Sequence, residues 1–228
     1  MGYRERRSRV DRAVVWQRTG GGAGQASVFP DGCMDLIWTE GTLMVAGPDS
    51  RAARVRAGAA EFVGVRFAPG AAPAVLGVPA VELLDQRVDL DTIVPAASAR
   101  ALLDRVDNSP DRVVALESVA VDLAAAASAP DPLLTGIAEA MAAGESVAHT
   151  AARAGLSARM LHRRSLAAFG YGPKMLARIL RFQRALETIR AGTPAAEVAA
   201  LHGYADQAHL SRDVRDLGGC TVRSLQPG

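Results

Sequence analysis

Basic side chains are concentrated in the C-terminal part of this chain of 228 residues. From Gly144 to the end there are 12 arginines and lysines against 6 aspartates and glutamates, a net charge of +6, whereas residues 1–143 carry 14 and 18, a net charge of −4. Clustered basic side chains attract polyanions by long-range Coulomb forces, although an ordinary solvated surface can give the same counts. The distribution indicates that one module, and not the whole chain, meets a polyanion.

Side chains that do catalytic or metal chemistry are sparse. Cys33 and Cys220 are the only two cysteines, one in each half, so we expect no disulfide framework. All four histidines follow residue 143, so the N-terminal part lacks the imidazoles that most first-row metal sites use. The sequence contains no Gly-x-Ser-x-Gly, no His-Glu-x-x-His and no phosphate-cradling loop. We therefore predict no catalytic residue, no cofactor and no metal.

The basic part contains two helices joined by a glycine turn. We expect helices over 133–143, 146–154 and 157–168, with the turn at Gly155. Glycine adopts the left-handed conformation that ends a helix, Leu156 then fills the space between the helices, and Ser157 caps the next one. Such a unit can project its second helix into a DNA major groove, although many helical hairpins share the pattern.

The same arrangement recurs near the C-terminus. Thr193 is predicted as the N-cap and Pro194 as the first residue of a helix that ends at Gly203, and 206–217 forms the helix after the turn. Between the two units, Pro173 to Arg190 is predicted as one helix, about 27 Å long at 1.5 Å per residue. A rod of that order can hold two recognition helices about one duplex turn, roughly 34 Å, apart.

This part of the chain resembles the AraC family of bacterial transcription regulators over about residues 131–225. The resemblance implies two helix-turn-helix units joined by a long helix. Three positions depart from the family pattern, because Ser165 and Val214 stand where a core phenylalanine is usual and Val222 replaces a proline. The segments that carry the resemblance are Ala151 to Ser157, Leu161 to Arg164, Phe169 to Pro173 and Gly203 to Arg212.

The resemblance also implies which side chains face DNA. Arg163 and Arg212 suit a bidentate pairing with guanine, and Gln207 suits adenine. Any single arginine can instead contact a phosphate or remain solvated, and Thr193, at a helix N-terminus, is a phosphate candidate. Residues at i, i+3 and i+4 of a helix form one stripe. The implied DNA-binding set is Arg159, His162, Arg163, Thr193, Gln207, Ala208, Ser211 and Arg212.

The first hundred residues are predicted to be rich in β-strands. Short runs at 34–38, 42–46 and 61–67 contain β-branched or large apolar residues and are bounded by Gly and Pro, which favours a small sandwich or barrel. The segments Phe29 to Trp38, Ala46 to Asp49 and Gly64 to Gly70 resemble an uncharacterised cupin-like domain found ahead of AraC-type domains. That resemblance implies a small β-barrel that senses an effector or mediates dimerisation.

Four polar residues lie on these predicted strands, namely Cys33, Asp35, Glu61 and Arg66. They are the candidates for binding a small-molecule effector in the lumen of the barrel. Each has a structural alternative: Asp35 can organise a turn, Arg66 can form an ion pair, and a buried cysteine usually behaves as a small hydrophobe.

We therefore predict an α+β fold in three parts. Residues 1–95 form the small cupin-like β-barrel, 96–129 a helical linker, and 130–228 an all-α DNA-binding domain with two helix-turn-helix motifs joined by a long helix. The boundary is placed at Pro130-Asp131-Pro132. Within the linker, Ser109 is predicted as the N-cap and Pro110 as the first residue of the second helix.

The leading interpretation is a cytoplasmic, sequence-specific transcription regulator that binds double-stranded DNA, with RNA polymerase as a further partner if it activates transcription. We expect no membrane span and no signal peptide, because no apolar stretch reaches 18 residues and none follows the arginine-rich segment Tyr3 to Arg12. The alternative is a cupin-like small-molecule-binding protein or enzyme in which the helical domain only directs it to DNA. A DNA-repair methyl transfer would need a zinc site of four cysteines, and the chain has two. A third hypothesis is that 96–127 pairs two copies into a homodimer.

Overall fold

The computed structural model describes residues 2–20, 24–57, 61–129 and 131–227, so Pro130 at the predicted boundary lies outside the described residues. The strands within these ranges are β1 Gly2–Arg7, β2 Ala13–Thr19, β3 Gly24–Val28, β4 Met34–Thr39, β5 Thr42–Ala46, β6 Ala53–Ala57, β7 Phe62–Phe67 and β8 Arg87–Asp89. The helices are α1 Ala72–Leu76, α2 Ala96–Asp107, α3 Arg112–Ala126, α4 Pro132–Ala142, α5 Val147–Arg153, α6 Ala158–Phe169, α7 Pro173–Arg190, α8 Ala195–Leu201, α9 Gln207–Gly218 and α10 Val222–Leu225.

Six strands form one antiparallel sheet in the order β1-β2-β7-β4-β5-β8, and β3 pairs with β6 in a separate two-stranded sheet. Within the described ranges no pairing joins β1 to β8, so the sheet stays open at both edges. The predicted α+β class is confirmed, with a β-sheet domain followed by a helical domain. The predicted closed barrel is therefore not present among these pairings. The strands β3 and β6 do not close it either, because they pair only with each other.

Successive side chains along β7 point to opposite faces of the large sheet. Val63, Val65 and Phe67 are fully buried, as the sequence pattern predicts. They face the N-terminal core, to which α1, α2 and α3 also contribute. Gly64 and Arg66 lie on the opposite face, where Arg66 is partly exposed.

The segment predicted as a helical linker packs onto this sheet as α2 and α3. Leu116 and Val119 of α3 are fully buried in the N-terminal core. The start of α3 differs from the prediction: its N-cap is Asp111, whose carboxylate accepts a hydrogen bond from the N–H of Val114 at 3.0 Å. The Ser109 hydroxyl binds the backbone of Asp111 instead, so neither Ser109 nor Pro110 has its predicted helical role.

The C-terminal core is built around α7, which spans Pro173–Arg190 as predicted. Leu176, Ile179, Phe182 and Ile189 on this helix are fully buried. Helices α4, α5, α6, α8 and α9 pack around them in one hydrophobic cluster. The long helix is therefore the scaffold on which both predicted helix-turn-helix units are mounted.

Candidate nucleic-acid interface

The first helix-turn-helix unit consists of α5 and α6. The hydroxyls of Ser146 and Ser157 cap these helices by accepting hydrogen bonds from the N–H groups of His149 at 3.2 Å and Met160 at 3.3 Å. In the turn between them Gly155 has a φ of 63°, and nothing lies within 4 Å of the position a Cβ would take. The backbone angle, and not crowding, therefore requires glycine here. The predicted glycine stop and serine cap are confirmed.

The outward face of α6 carries the first predicted DNA-facing stripe. Arg159, His162 and Arg163 are all exposed. Within the described ranges neither Arg159 nor Arg163 forms a hydrogen bond or an ion pair. Arg164, the next residue, points elsewhere and pairs with Asp131 at 3.2 Å between Nη1 and Oδ2. The stripe is thus open to an external ligand.

The second unit consists of α8 and α9 and repeats the layout. Gly203 in the turn has a φ of 70°, again with open space around it. Asp206 caps α9, because its carboxylate accepts a hydrogen bond from the N–H of His209 at 2.6 Å. A negative cap is favoured at the positive end of the helix dipole, so α9 begins at a well-defined residue.

The start of α8 corrects the prediction made from the sequence. Pro194 precedes the helix with an extended ψ of 139°, so the helix begins at Ala195, and no side chain caps it. Thr193 is therefore not the N-cap, and Pro194 is not the first helical residue. Thr193 is partly buried, and its carbonyl oxygen accepts a hydrogen bond from Gln226 at 3.3 Å. Its contact with a DNA phosphate stays a prediction.

The second predicted DNA-facing stripe lies on the outward face of α9. Gln207, Ala208 and Arg212 are exposed, and Ser211 between them is partly exposed. Arg212 forms no hydrogen bond or ion pair with any residue that the structure describes. The structure thus places the residues of each stripe on one helix face, with a guanidinium free on each.

A buried ion cluster, which the sequence reading missed, joins α9 to α7. The carboxylate of Asp213 is 4% exposed and accepts hydrogen bonds from Arg178 Nε at 2.8 Å and Arg181 Nη2 at 2.9 Å. Arg178 also pairs with Asp216 at 2.7 Å. Because both arginines lie on α7, these bonds fix the rotation of α9 about its own axis. Opposite charges spaced along α7 and α9 were the available signal in the sequence.

Aromatic contacts extend this cluster toward the turn of the second unit. The guanidinium of Arg181 lies 4.3 Å from the ring centroid of Tyr204, and His209 packs edge-on against the same ring. Burial raises the pKa of Tyr204 to about 12, so its hydroxyl stays neutral. His209 supports the helix from within the protein, since its Nδ1 also accepts a hydrogen bond from the N–H of Ala205.

Three of the four candidate effector residues lie together in the N-terminal domain. Arg66 Nε is 3.4 Å from Asp35 Oδ1 and 3.8 Å from Asp31 Oδ2. Burial raises the pKa of the Asp35 carboxyl to about 6, against the opposing effect of Arg66. Burial also raises the pKa of the Cys33 thiol well above its usual value, and the nearby carboxylates add to this effect. Cys33 is therefore a neutral thiol beside an ion pair.

Glu61 does not belong to this group. Its carboxylate accepts a hydrogen bond from Gln17 at 2.7 Å and pairs with Arg112 of α3 at 3.3 Å. These bonds join Glu61, which directly precedes β7, to β2 and α3. In the structure Glu61 therefore links these elements and lies apart from Cys33, Asp35 and Arg66.

Two aromatic residues of the cluster were missed from the sequence. The indole Nε1 of Trp16 donates a hydrogen bond to Asp35 at 2.6 Å, and the ring of Tyr3 stacks on Trp16 with centroids 6.2 Å apart. The indole lies so close to Gly64 that any side chain there would collide with it. A glycine in the interior of a strand signals such a close approach and could have indicated the packing.

The structure also bears on metal sites and membrane spans. In residues 2–20, 24–57, 61–129 and 131–227, no group of three or more His, Cys, Asp or Glu side chains is placed to hold a metal ion. None of the helices in the same ranges has the length and apolar character needed to cross a bilayer.

Two known families match parts of the chain. Residues 150–226 match a family described as a helix-turn-helix domain. This match supports the resemblance of the C-terminal domain to the AraC family. Residues 10–89 match a domain of unknown function, DUF6597. The match over 150–226 supports a DNA-binding transcription regulator.

Crystal structures of ToxT from Vibrio cholerae are similar to this chain. One has a TM-score of 0.50 at 8% identity and covers 99% of this chain and 98% of that chain. ToxT from strain O395 has a TM-score of 0.47 at 10% identity, covering 93% and 96%. Wild-type ToxT from strain SCE256 with bound unsaturated fatty acid has a TM-score of 0.49 at 11% identity, covering 96% of each chain. No curated protein matches the chain in sequence.

Proposed function

We propose that the protein is a sequence-specific transcription regulator that reads two adjacent major grooves with α6 and α9. The observation that carries this proposal is a pair of capped units on one continuous helix, each presenting an unpaired arginine outward. The 18 residues of α7 span about 27 Å. That length is of the order of one duplex turn, roughly 34 Å, so both units can meet one face of a duplex.

The roles of individual residues follow from their chemistry. Arg163 and Arg212 have the planar donor fork that pairs with both acceptors of guanine, and Gln207 can pair with adenine. Arg159 and His162 lie beside Arg163 on the same face and are suited to backbone phosphates or neighbouring bases. Phosphate contacts set the register of each helix, and the base contacts supply specificity.

The test begins with selection of bound sequences from random duplexes by the full chain, followed by gel-shift affinities on the selected duplex. Arg163→Ala and Arg212→Ala should each cost about 1–3 kcal/mol on that duplex and little on unrelated DNA, because a base contact is lost. Arg164→Ala is the matched control, since this neighbouring arginine pairs with Asp131.

Two results would contradict the proposal. One is a double variant, Arg163→Ala with Arg212→Ala, whose affinity for the selected duplex equals that of the wild type. The other is an equal loss on selected and unrelated DNA, which would reduce both arginines to phosphate contacts.

We further propose that the N-terminal domain regulates this activity by binding a small-molecule effector. The observation in favour is a depression of about 500 Å³ beside the ion pair, with Arg12, Val14, Cys33, Arg66 and Pro69 in its wall. A ligand bound there raises the free energy of unfolding by RT ln(1 + [L]/Kd), and the unfolding temperature rises with it. A thermal-shift screen of the full chain tests this: a true ligand should lose its effect in Arg66→Ala and keep it in Arg18→Ala.

A further inference from the structure

The N-terminal domain contacts the C-terminal ends of both predicted recognition helices. At the first unit, the glycine that ends α6 lies against this domain: a Cβ at Gly170 would be 2.6 Å from the ring of Pro48 and 3.3 Å from the carbonyl oxygen of Ala80. Phe169 lies equally close to Gly70, where a Cβ would be 2.7 Å from its ring. The two surfaces are in close contact, with no space left for a side chain at either glycine.

The contact with the second unit is separate and uses a different part of the N-terminal domain. The carbonyl oxygen of Leu217, in the last turn of α9, accepts a hydrogen bond from the N–H of Ala52 at 2.6 Å. The ring of Phe29 lies between α7 and α9, edge-on to Phe182 with centroids 5.9 Å apart. A Cβ at Gly218 of α9 would be 3.4 Å from the Phe29 ring.

Polar contacts hold the Phe29 segment in place along α7. Gln183 Nε2 donates a hydrogen bond to the carbonyl oxygen of Pro30 at 2.6 Å. The guanidinium of Arg190 lies 5.5 Å from the Phe29 ring centroid. Phe29 is accordingly counted with the C-terminal core, against which it packs as a partly buried residue.

We propose that the N-terminal domain is a brace that sets the relative position of α6 and α9, and that Phe29 is the positioning residue through which it holds the second helix. The inference rests on the proposed reading of two grooves. Binding both grooves at once requires the two helices to be presented at one spacing, and holding them there before binding lowers the entropic cost.

The contacts favour bracing over masking of the DNA-binding surface. They involve Gly170 and Leu217 at the far ends of the two helices, whereas the side chains in the predicted DNA-facing stripes are exposed or partly exposed. The N-terminal domain can therefore stay in place while the stripes meet DNA.

The test compares Phe29→Ala with Phe62→Ala in the full chain. Phe62 is the matched control because it is also partly buried and also has an arginine over its ring, Arg18 at 4.4 Å, but it lies on β7 within the N-terminal sheet. Gln183→Ala is a second variant that loses the hydrogen bond to Pro30 and leaves the aromatic packing intact.

The first readout is affinity for the selected duplex, for duplexes with one to five base pairs inserted between its two contacted segments, and for each segment alone. Phe29→Ala should weaken binding to the selected duplex about two- to tenfold, the range that an aromatic pair contributes. It should leave binding to single segments unchanged and reduce the penalty for inserted base pairs. Phe62→Ala should match the wild type.

The second readout does not depend on DNA. Amide hydrogen exchange in 182–190 and 207–218 should be faster in Phe29→Ala and in Gln183→Ala than in Phe62→Ala. Unchanged exchange in both variants would overturn the brace. So would tighter binding by Phe29→Ala, which indicates masking, or an equal loss on all duplexes, which indicates a general structural role. If the wild type selects no sequence, the proposed function fails while the exchange data still decide whether Phe29 holds α9.

Discussion

The two helix-turn-helix units share a local layout and differ in how each recognition helix is anchored. In the second unit α9 is fixed by buried Asp213 between two arginines of α7. In the first unit α6 buries Ser165, whose hydroxyl has no hydrogen-bond partner among the described residues, and its charged contact is the surface pair of Arg164 with Asp131. Charged hydrogen bonds in a buried site are directional, whereas apolar packing tolerates small shifts. The placement of α9 therefore depends on a few charged hydrogen bonds, whereas that of α6 depends on apolar packing.

The largest effect is expected at the buried charge. Asp213→Asn should destabilise the protein by about 3 kcal/mol, because removing one partner of a buried ion pair leaves the other charge uncompensated. Urea unfolding followed by far-ultraviolet circular dichroism measures the loss.

Asp216→Asn is the control, since Asp216 binds the same Arg178 but is 61% exposed. It should cost no more than about 1 kcal/mol. Equal losses of unfolding free energy in the two variants would contradict the claim that the buried ion pair anchors α9 more strongly than the surface pair.

The second largest loss of stability is expected at the turn glycines. It should be the same in both units, because their turns have the same backbone geometry. Gly155→Ala and Gly203→Ala should each cost about 1–2 kcal/mol, the penalty for an L-residue in the left-handed region. Gly136→Ala in α4 should instead stabilise by about 0.5–1 kcal/mol, since that glycine is helical with open space around it. Thermal unfolding of the three variants checks the signs, and a stabilising change at either turn would contradict the shared layout.

The smallest effects on stability are expected at two serines, Ser157 at the N-cap of α6 and Ser165 within α6, and they should have opposite signs. Ser157→Ala removes the N-cap and should destabilise by about 1 kcal/mol. Ser165→Ala should stabilise by up to about 1 kcal/mol, because it removes a buried hydroxyl without a partner. Matched urea curves of the two variants give both signs. A loss of stability in Ser165→Ala would mean that its hydroxyl has a partner, and the contrast between the anchors would weaken.

Features set by neighbours in sequence were predictable. The glycine turns, the cap at Ser157 and the full extent of α7 depend on contacts within a few residues, and the structure confirms them. Two helix starts were wrong by one or two residues: Asp111 and not Ser109 caps α3, and Pro194 and not Thr193 stands directly before α8. Propensity cannot decide between adjacent capping residues when backbone angles set the helix start.

Features set by distant partners were not predictable. The pairing of β2 with β7, and of β3 with β6 apart from the main sheet, joins segments far apart in the chain whose register no local pattern specifies. In the site, by contrast, the two DNA-facing stripes could be placed on helix faces from spacing alone. The bonds from Asp213 to α7 and from Trp16 to Asp35 required the tertiary structure.

Hydroxyl-radical footprinting on the selected duplex tests the central claim most directly. The wild type should protect two segments about one helical turn, roughly 10 base pairs, apart on one face of the duplex. Arg163→Ala should weaken protection of one segment and Arg212→Ala that of the other. A single protected segment, or loss of the same segment in both variants, would contradict the reading of two grooves by α6 and α9.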